Sequence, residues 1–427
     1  MVTAPVHGGL AEPVNRYGNR LPVEALLSRP SVAVSSADCT TLHRIADGTL
    51  SPLTGPMNVD DYESVLERAC IVRHGEAYAW TIPIFLPVDA EDAARIKVGD
   101  EVVLRDENSV AIGVLTVETI YERDLQRFLR IVYRTERTDH PGARLWTGDS
   151  RRFSLGGSLC MFEPAPDPRP FASYIKGPLQ VRELIQHRGF EQTVAFQTRN
   201  PLHRAHEYAL VHGAEQLLSA HPERYTGVFL NPLVGELKSD DVPATVRMQT
   251  YINLVEQRVL GQGDQNEDVW KRAGQSLHEQ LHLVGLDMRM FYAGPNEAVM
   301  HAIYRQNLGF THFIVGRKHA DAPYDDQTPI WDDFEAQRIF RSLGGKLAIE
   351  AIPVGYAAYF EELGRVGLVE EHPGMTPVSI SGTKMRETLR AGRIPDSRVM
   401  RECVARVLIE YYRKDADDSA TPEHVHL

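Results

Sequence analysis

Apolar and polar residues follow two different patterns on either side of a proline-rich segment. Before it, short runs of apolar and β-branched residues are separated by glycine, proline and aspartate, as in the two runs that flank the polar turn at 106–109. Such runs are typical of β-strands joined by turns. The segment itself, EPAPDPRP at 163–170, contains four prolines and is therefore a stiff connector. We predict a β-rich first domain with short helices that ends near this connector.

After the connector, strand-like runs alternate with helical patterns. The predicted strands are 193–196, 226–233, 287–293 and 312–316, and the predicted helices are about 201–220, 244–260 and 296–307. This alternation is typical of a parallel sheet with helices on both faces, so the fold class is α/β. A smaller α/β region from about residue 345 ends in a helix at 398–414, and the polar tail 415–427 is predicted to be disordered. The predicted domains are 1–168, 169–344 and 345–427.

Composition narrows the functional classes. The net charge of −12 and the pI of about 5.8 argue against a protein that binds nucleic acid or an acidic membrane surface. The four cysteines form no CxxC pair, which indicates reduced thiols in a cytosolic protein. The N-terminus lacks the features of a signal peptide, and no apolar run approaches the ~18 residues of a membrane span. We expect a cytoplasmic protein that acts on small molecules.

Two polar clusters directly follow predicted strands. The first is QTRNPLHRAH at 197–206, and the second is GRKHAD at 316–321. Parallel α/β sheets bind ligands in the loops at the carboxyl ends of their strands, so both clusters lie where a substrate site is expected.

The first cluster has the composition of an anion site. Asn200 can cap a helix and Pro201 fits its first position, which predicts a helix start there. His203 and His206 then lie on one face of the first turns. The helix N-terminus attracts anions, and the Arg199 guanidinium offers a planar set of donors for phosphate or sulfate.

Other interpretations of this cluster are less specific. A lone HxxH on a helix is often structural or simply exposed. A zinc site needs HExxH or a third ligand at a set spacing, and HRAHE provides neither, so we predict no metal site. No GxxxxGK[ST] sequence occurs, which excludes a P-loop. The position after a strand, beside Arg and Asn, favours a nucleotidyl transferase in which imidazoles hold ATP phosphates.

The segment QTRNPLHRAHE closely resembles the signature of the ATP sulfurylase family. Further motifs of that family follow in the same order along nearly the whole chain, at 5–10, 43–57, 231–241, 293–317 and 379–390. The resemblance implies a PUA-like first domain, a Rossmann-like (HUP-type) nucleotidyl transferase domain and a small C-terminal α/β region. It also implies a homo-oligomer, dimer or higher. Without a P-loop, no fused kinase domain is expected.

The family reaction converts MgATP and sulfate into adenosine 5′-phosphosulfate and pyrophosphate, with Mg²⁺ entering as MgATP. The resemblance assigns sulfate binding to Gln197, Arg199 and the backbone N–H of Ala320. It makes Thr198, Arg199, Asn200, His203 and His206 the catalytic cluster. It assigns the nucleotide to Gln197, Thr198, Arg199, Asn200, Gly316, Arg317, Lys318 and His319. Ser381, Thr383 and Arg386 would belong to a lid, although a capped surface helix explains them about as well.

Two further groups have simpler interpretations. His301 lies on an apolar helix and is predicted to be a packed structural histidine. The acidic residues of 321–333 are predicted to form an exposed loop, because carboxylates without fixed spacing usually face water.

One departure from the family pattern concerns the acceptor. The family usually has an acidic residue where this chain has Lys318, and the loop that follows also differs. Two alternatives to sulfate adenylyl transfer therefore remain open. One is a divergent nucleotidyl transferase that uses another oxyanion, a phosphonate or a carboxylate. The other is a non-catalytic nucleotide- or RNA-binding protein.

Overall fold

The computed structural model describes residues 3–237, 241–378 and 382–420, with the backbone alone for 415–420. Two regions of different architecture join near residue 170. The strands of the first region are β1 (Tyr17–Gly18), β2 (Ser31–Ala33), β3 (Cys70–Arg73), β4 (Glu76–Ala79), β5 (Leu86–Val88), β6 (Glu101–Arg105), β7 (Ala111–Glu122) and β8 (Phe153–Phe162). Its helices are α1 (Val23–Leu27), α2 (Ser36–Ala46), α3 (Val59–Arg68), α4 (Ala90–Arg95), α5 (Leu125–Phe128) and α6 (Pro141–Thr147).

A mixed six-stranded sheet organises the first region. Its order is β1-β8-β7-β6-β2, and β5 also pairs with β8. Strand β7 alternates buried and more exposed residues over part of its length, as expected where one face of a sheet packs on the core, whereas β8 is buried over most of its length. Strands β6 and β7 are antiparallel neighbours around a polar turn, as the sequence pattern predicts. The β-rich first domain with short helices is confirmed.

The second region contains a parallel sheet between helices. The elements of the region are α7 (Pro178–Arg188), β9 (Gln192–Phe196), α8 (Arg204–Ala220), β10 (Thr226–Leu230), α9 (Ala244–Glu256), α10 (Glu267–Ala273), α11 (Leu277–Gln280), β11 (Leu281–Leu283), α12 (Gly294–Leu308), β12 (His312–Val315), α13 (Glu335–Arg338) and β13 (Glu350–Pro353). The sheet order is β11-β10-β9-β12-β13, and every pair is parallel. The chain moves outward from β9 in one direction and then reverses past it to β12, which is a Rossmann-like arrangement.

The segment 287–293 is not a strand, so that prediction is wrong. The third strand lies earlier, at β11. The backbone N–H groups of Phe291 and Ala293 donate to the carboxylate of Glu297, and that of Met290 donates to the carbonyl of Glu236. These bonds satisfy the backbone without a neighbouring strand, although the segment is as apolar as a strand.

The chain after β13 forms a small antiparallel sheet and two helices. These elements are β14 (Ala357–Phe360), β15 (Arg365–Leu368), β16 (Pro377–Val378), α14 (Gly382–Arg390) and α15 (Glu402–Ala420). Because β13 pairs with β12, the main sheet continues beyond residue 345. The helix α15 reaches Ala420, so the prediction of a disordered tail is wrong for 415–420, and 421–427 lie outside the described residues.

Helix α12 passes through the centre of the molecule. All its residues except Asn296 are buried. The first region packs against the segment that precedes α12. There the Tyr133 hydroxyl donates to the carbonyl of Phe291 at 3.0 Å. No helix within the described residues is long and apolar enough to cross a membrane.

Candidate active site

A cavity of about 520 Å³ opens at the carboxyl ends of the parallel strands. Phe196 at the end of β9, Gly316 after β12 and Val354 after β13 form its floor, and α14 and α15 contribute Arg386 and Leu408 from the opposite side. Both polar clusters therefore meet at the same edge of the sheet. The cavity is large enough for a nucleotide-sized ligand.

Helix α8 begins three residues later than the Asn200–Pro201 motif predicts. Its N-cap is His203, whose carbonyl accepts from the N–H groups of His206 and Glu207 at 2.8 and 3.1 Å. The carbonyl of Asn200 is already used, because the hydroxyls of Thr198 and Tyr251 donate to it at 2.9 and 2.7 Å. The predicted cap is therefore wrong, and the segment before His203 is a loop held by tertiary contacts.

The two imidazoles of the HxxH motif stack on each other at the cavity wall. Their ring centroids are 3.7 Å apart with an interplanar angle of 21°. The Nδ1 atom of each ring is buried without a hydrogen-bond partner. Burial lowers the pKa of His206 to about 4, and burial together with the neighbouring His206 lowers the pKa of His203 well below its usual value. Both rings are neutral at pH 7, and each can donate one N–H.

Acidification is expected to destabilise the protein through His206. The pKa of His206 falls from 6.5 to about 4 on folding, so the unfolded chain binds a proton in that range and the folded site does not. The contribution of His206 to the free energy of unfolding is therefore fully present above about pH 6.5, and it decreases by up to ~3 kcal/mol as the pH falls toward 4. Urea denaturation at several pH values between 7 and 5 measures the slope of the free energy of unfolding against pH. His206→Asn should flatten this slope, and a slope equal to that of the wild type would show that burial does not lower the pKa of His206.

Arg199 lies between the two polar clusters. Its Nη2 donates to the carbonyl of Asp321 at 3.1 Å, and its guanidinium lies 4.8 Å from the centre of the Tyr292 ring. Its Nη1 is buried without a hydrogen bond, and the Asp241 carboxylate lies 3.8 Å from it. One edge of the guanidinium is therefore held by protein while the other has donors available to a ligand.

Gln197 and Ala320 bring further unpaired polar groups. The Gln197 side chain is 8% exposed, and its Oε1 has no hydrogen-bond partner. Ala320 has a left-handed backbone with φ of 57°, and its N–H has no acceptor among the described residues. Since Arg199 bonds to the residue next to Ala320, the sheet brings the predicted sulfate groups of both clusters together.

The basic residues of the second cluster are paired with one carboxylate. Asp333 accepts from Arg317 and lies 3.4 Å from the Lys318 Nζ, and its carbonyl accepts the Lys318 N–H at 2.8 Å. The Arg317 guanidinium also lies 5.2 Å from the centre of the Tyr356 ring, and both residues line the cavity. Lys318 is thus an exposed, partly neutralised cation at the edge of the site.

His319 points away from this pair toward α12. Its Nε2 lies 3.0 Å from Nδ1 of His301, and its ring packs edge-on against Phe313. His301 is fully buried, as predicted for a packed histidine. Its bond to His319, however, links it to the site.

Of the three predicted lid residues, one lines the cavity. Arg386 lines the cavity from α14, whereas Thr383 is exposed and outside the lining. Ser381 lies outside the described residues.

Acidic residues near the site pair with arginines. In the loop after Ala320, Asp325 pairs with Arg144 at 2.8 Å and Asp326 with Arg137 at 3.0 Å, both from the first region. Within the described ranges, no group of three or more His, Cys, Asp or Glu side chains could hold a metal ion. These aspartates therefore connect the two regions.

Three site residues had no signal in the sequence analysis. Asp241 and Tyr356 line the cavity, and Tyr251 fixes Asn200. Asp241 lies within the motif at 231–241, but nothing in its spacing identified it as a neighbour of Arg199.

Two family models match the chain. A model described as ATP-sulfurylase matches residues 172–411, and one described as PUA-like domain matches residues 4–164.

Curated relatives match nearly the full length. The chain is 58% identical over 410 residues to the sulfate adenylyltransferase of Pyropia yezoensis, covering 96% of this chain and 97% of the relative. It is 35% identical over 421 residues to the sulfate adenylyltransferase of Synechococcus sp. (strain JA-3-3Ab), covering 96% and 97%. A solved structure titled hexameric APS kinase from Thiobacillus denitrificans has a TM-score of 0.69 at 20% identity, covering 96% of this chain and 68% of that one. This last likeness concerns the fold alone.

Proposed function

The chain belongs to the ATP sulfurylase family, and we propose that the cavity above its parallel sheet binds MgATP and sulfate at the residues described above. The chain is a nucleotidyl transferase with a PUA-like first domain, and its activity is sulfate adenylyl transfer in sulfate activation. The two alternatives, another acceptor and a non-catalytic binding protein, are not favoured.

The reaction needs little covalent chemistry from the protein. A sulfate oxygen attacks the α-phosphorus of ATP in line, and the bond to the oxygen that bridges to the β-phosphate breaks. Pyrophosphate leaves with that electron pair. Rate enhancement then comes from positioning and from stabilising charge on the transferring phosphoryl group. Magnesium enters as part of the substrate MgATP.

A group of buried polar atoms without partners carries the proposal. Nη1 of Arg199 and Nδ1 of both His203 and His206 are buried and make no hydrogen bond. The Gln197 amide, whose Oε1 is also unpaired, has N–H groups that can donate to an anion. Buried polar atoms in folded proteins are almost always paired, so unpaired atoms on this short segment, with both histidines lining the cavity, favour a ligand there. Arginine and imidazole N–H donors suit an anion with several oxygens.

Each residue receives a role on this basis. Gln197, Arg199 and the Ala320 N–H hold sulfate, and His203 and His206 hold the ATP phosphates. Thr198 and Asn200 form the catalytic loop with Arg199, because the Thr198 hydroxyl and Tyr251 fix its shape. The nucleotide also contacts the segment Gly316–His319. Arg386, with Thr383 on the same helix, would close over the cavity as a lid.

Product analysis tests the proposal. The protein is incubated with MgATP and radiolabelled sulfate, and the label is followed into a nucleotide product. We expect label in adenylyl sulfate together with equimolar pyrophosphate. No labelled nucleotide from folded protein would overturn the assignment.

Lys318→Asp is expected to change nucleotide affinity but not the choice of acceptor. Lys318 is exposed and pairs with Asp333, so its charge reaches the site only weakly. We expect KM for MgATP to rise about fivefold at low salt, less at high salt, with the order of preference among sulfate, selenate and phosphate unchanged. Lys346→Asp, at an exposed ion pair with Glu76, is the matched control. A changed order of preference would show that Lys318 selects the acceptor.

We also propose the domain limits, the assembly and the location of the protein. The predicted boundaries are 1–168, 169–344 and 345–427, and the pairing of β13 with β12 favours moving the second boundary beyond residue 353. We propose a homo-oligomer, dimer or higher, located in the cytoplasm, the assembly being the one that the family resemblance implies. Light scattering of the purified protein tests the assembly.

A further inference from the structure

Helix α12 carries three ionisable side chains into the core. Glu297, His301 and Arg305 are each 0% exposed. Polar groups are rarely buried this deeply unless they are paired, since each loses its hydration. Two of the three lie in a line that leads to the second polar cluster.

The line consists of three side chains in contact. Nε2 of His319 lies 3.0 Å from Nδ1 of His301, and Nε2 of His301 lies 3.2 Å from Oε1 of Glu297. The Glu297 carboxylate is held in turn by the N–H groups of Phe291 and Ala293, at 2.8 and 3.0 Å. We call Glu297, His301 and His319 the histidine chain.

The contacts define where the protons lie. Burial raises the pKa of Glu297 to about 7, so its carboxylate form predominates above that pH and accepts two backbone N–H groups. That carboxylate favours a proton on the facing Nε2 of His301, which lies 3.2 Å away without hydrogen-bond geometry. A neutral imidazole has one N–H, which leaves Nδ1 of His301 as an acceptor for Nε2–H of His319. Burial is the main cause that lowers the pKa of both imidazoles, with the charges of Arg305 and Arg199 adding to it, so both rings stay neutral.

His319 lies within a backbone turn of unusual geometry. The residues on either side, Lys318 and Ala320, both have left-handed backbones, with φ of 50° and 57°. Non-glycine residues in this region carry strain and persist only where the surroundings hold them. Turns of this kind also direct successive N–H groups outward to bind anions. The N–H groups of His319 and Ala320 have no acceptor among the described residues.

The His319 side chain reaches from this turn to the buried helix α12, and the neighbouring Ala320 packs in the core. The turn is also held by backbone bonds, from the Gly294 N–H to the Ala320 carbonyl and from the Lys318 N–H to the Asp333 carbonyl, and by the ion pair of the Lys318 side chain with Asp333. We propose that Glu297 and His301 are positioning residues that hold His319 with its proton on Nε2 and thereby fix the turn whose Ala320 N–H binds the anionic acceptor. This inference rests on the role proposed for Ala320.

A matched pair of substitutions tests the histidine chain. His301→Leu removes the acceptor for His319, while His301→Asn keeps an oxygen near the position of Nδ1. We expect His301→Leu to raise KM for sulfate about tenfold or more, with a smaller change in KM for MgATP. His301→Asn should recover most of that loss.

A second buried histidine provides the control for stability. His7 is 0% exposed in the first region and bonds to the Ala79 carbonyl at 2.9 Å. His7→Leu should lower the melting temperature without changing KM for sulfate. If His301→Leu behaves as His7→Leu does, or if His301→Asn loses as much sulfate affinity as His301→Leu, the inference is overturned.

The wild-type protein allows a second test, in which a variant serves only to assign the signals. Nitrogen NMR of ¹⁵N-histidine-labelled protein, assigned with His319→Gln, reports the protonation of each ring nitrogen. We expect a slowly exchanging proton on Nε2 of His319 and a bare Nδ1. The opposite tautomer or a doubly protonated ring would overturn the inference. Failure of the proposed function is separate, since the wild type would then form no adenylyl sulfate.

Discussion

Replacing Arg199 with alanine is expected to lower kcat/KM for sulfate by about 10³-fold while the fold survives. The guanidinium has one edge bonded to the Asp321 carbonyl and a buried Nη1 without a hydrogen bond. A sulfate ion would satisfy that donor, and the same guanidinium would stabilise the charge on the transferring phosphoryl group. Steady-state kinetics with purified variant, together with its melting temperature, measure the effect.

Two further variants separate geometry from charge. Arg199→Lys keeps the charge but loses the planar pair of donors, so it should recover only a small part of the activity. Arg338→Ala removes an exposed arginine that pairs with Asp332 in the same part of the chain, and it should leave kinetics unchanged. Near-normal turnover in Arg199→Ala would rule out this residue as the acceptor contact.

Alanine at His203 or His206 is expected to lower kcat by about 10²-fold. The two rings stack at 3.7 Å on the cavity wall, and the Nδ1 atom of each is unpaired. Each imidazole is neutral in the empty site and can donate its N–H to a phosphate oxygen. A bound anion raises the pKa of the imidazole and so strengthens this hydrogen bond. The double variant should lose less than the product of the single losses, because the rings act on one group.

His212 provides the control on the same helix. It lies two turns further along α8, outside the cavity, and its Nε2 is 2.8 Å from the Gln216 amide. His212→Ala should retain kcat within about twofold, as expected for a residue that contacts no substrate. If it loses as much as His203→Ala, the effect belongs to the helix rather than to the HxxH motif.

The position of the site could be predicted from local sequence signals. Strand-like runs before Gln197 and Gly316 place both polar clusters at strand ends, and parallel pairing of β9 with β12 brings them together. The contact between Arg199 and Asp321, 122 residues apart, follows from that topology.

The start of helix α8 could not be predicted in the same way. Asn200 followed by Pro201 is a favourable cap by local criteria, but Tyr251 from α9 occupies the carbonyl that the helix would need. Tertiary contacts therefore displaced the helix start to His203.

The apolar segment 287–293 and the histidine chain are also determined by tertiary contacts that the local sequence does not reveal. The segment satisfies its backbone through Glu297, a side chain on the next helix, and so does not join the sheet. His301 was correctly predicted to be buried, yet its partner His319 comes from a different element. Such pairings depend on the fold and leave no spacing pattern in the sequence.

The central claim is that the site transfers an adenylyl group from MgATP to sulfate through the Arg199 cluster. It is tested most directly by pyrophosphate release from MgATP with a panel of oxyanions and small carboxylic and phosphonic acids, in the wild type and in Arg199→Ala. We predict release that depends on sulfate in the wild type and is lost in the variant. Release with another acceptor but not with sulfate, or equal release from both proteins, would contradict the claim.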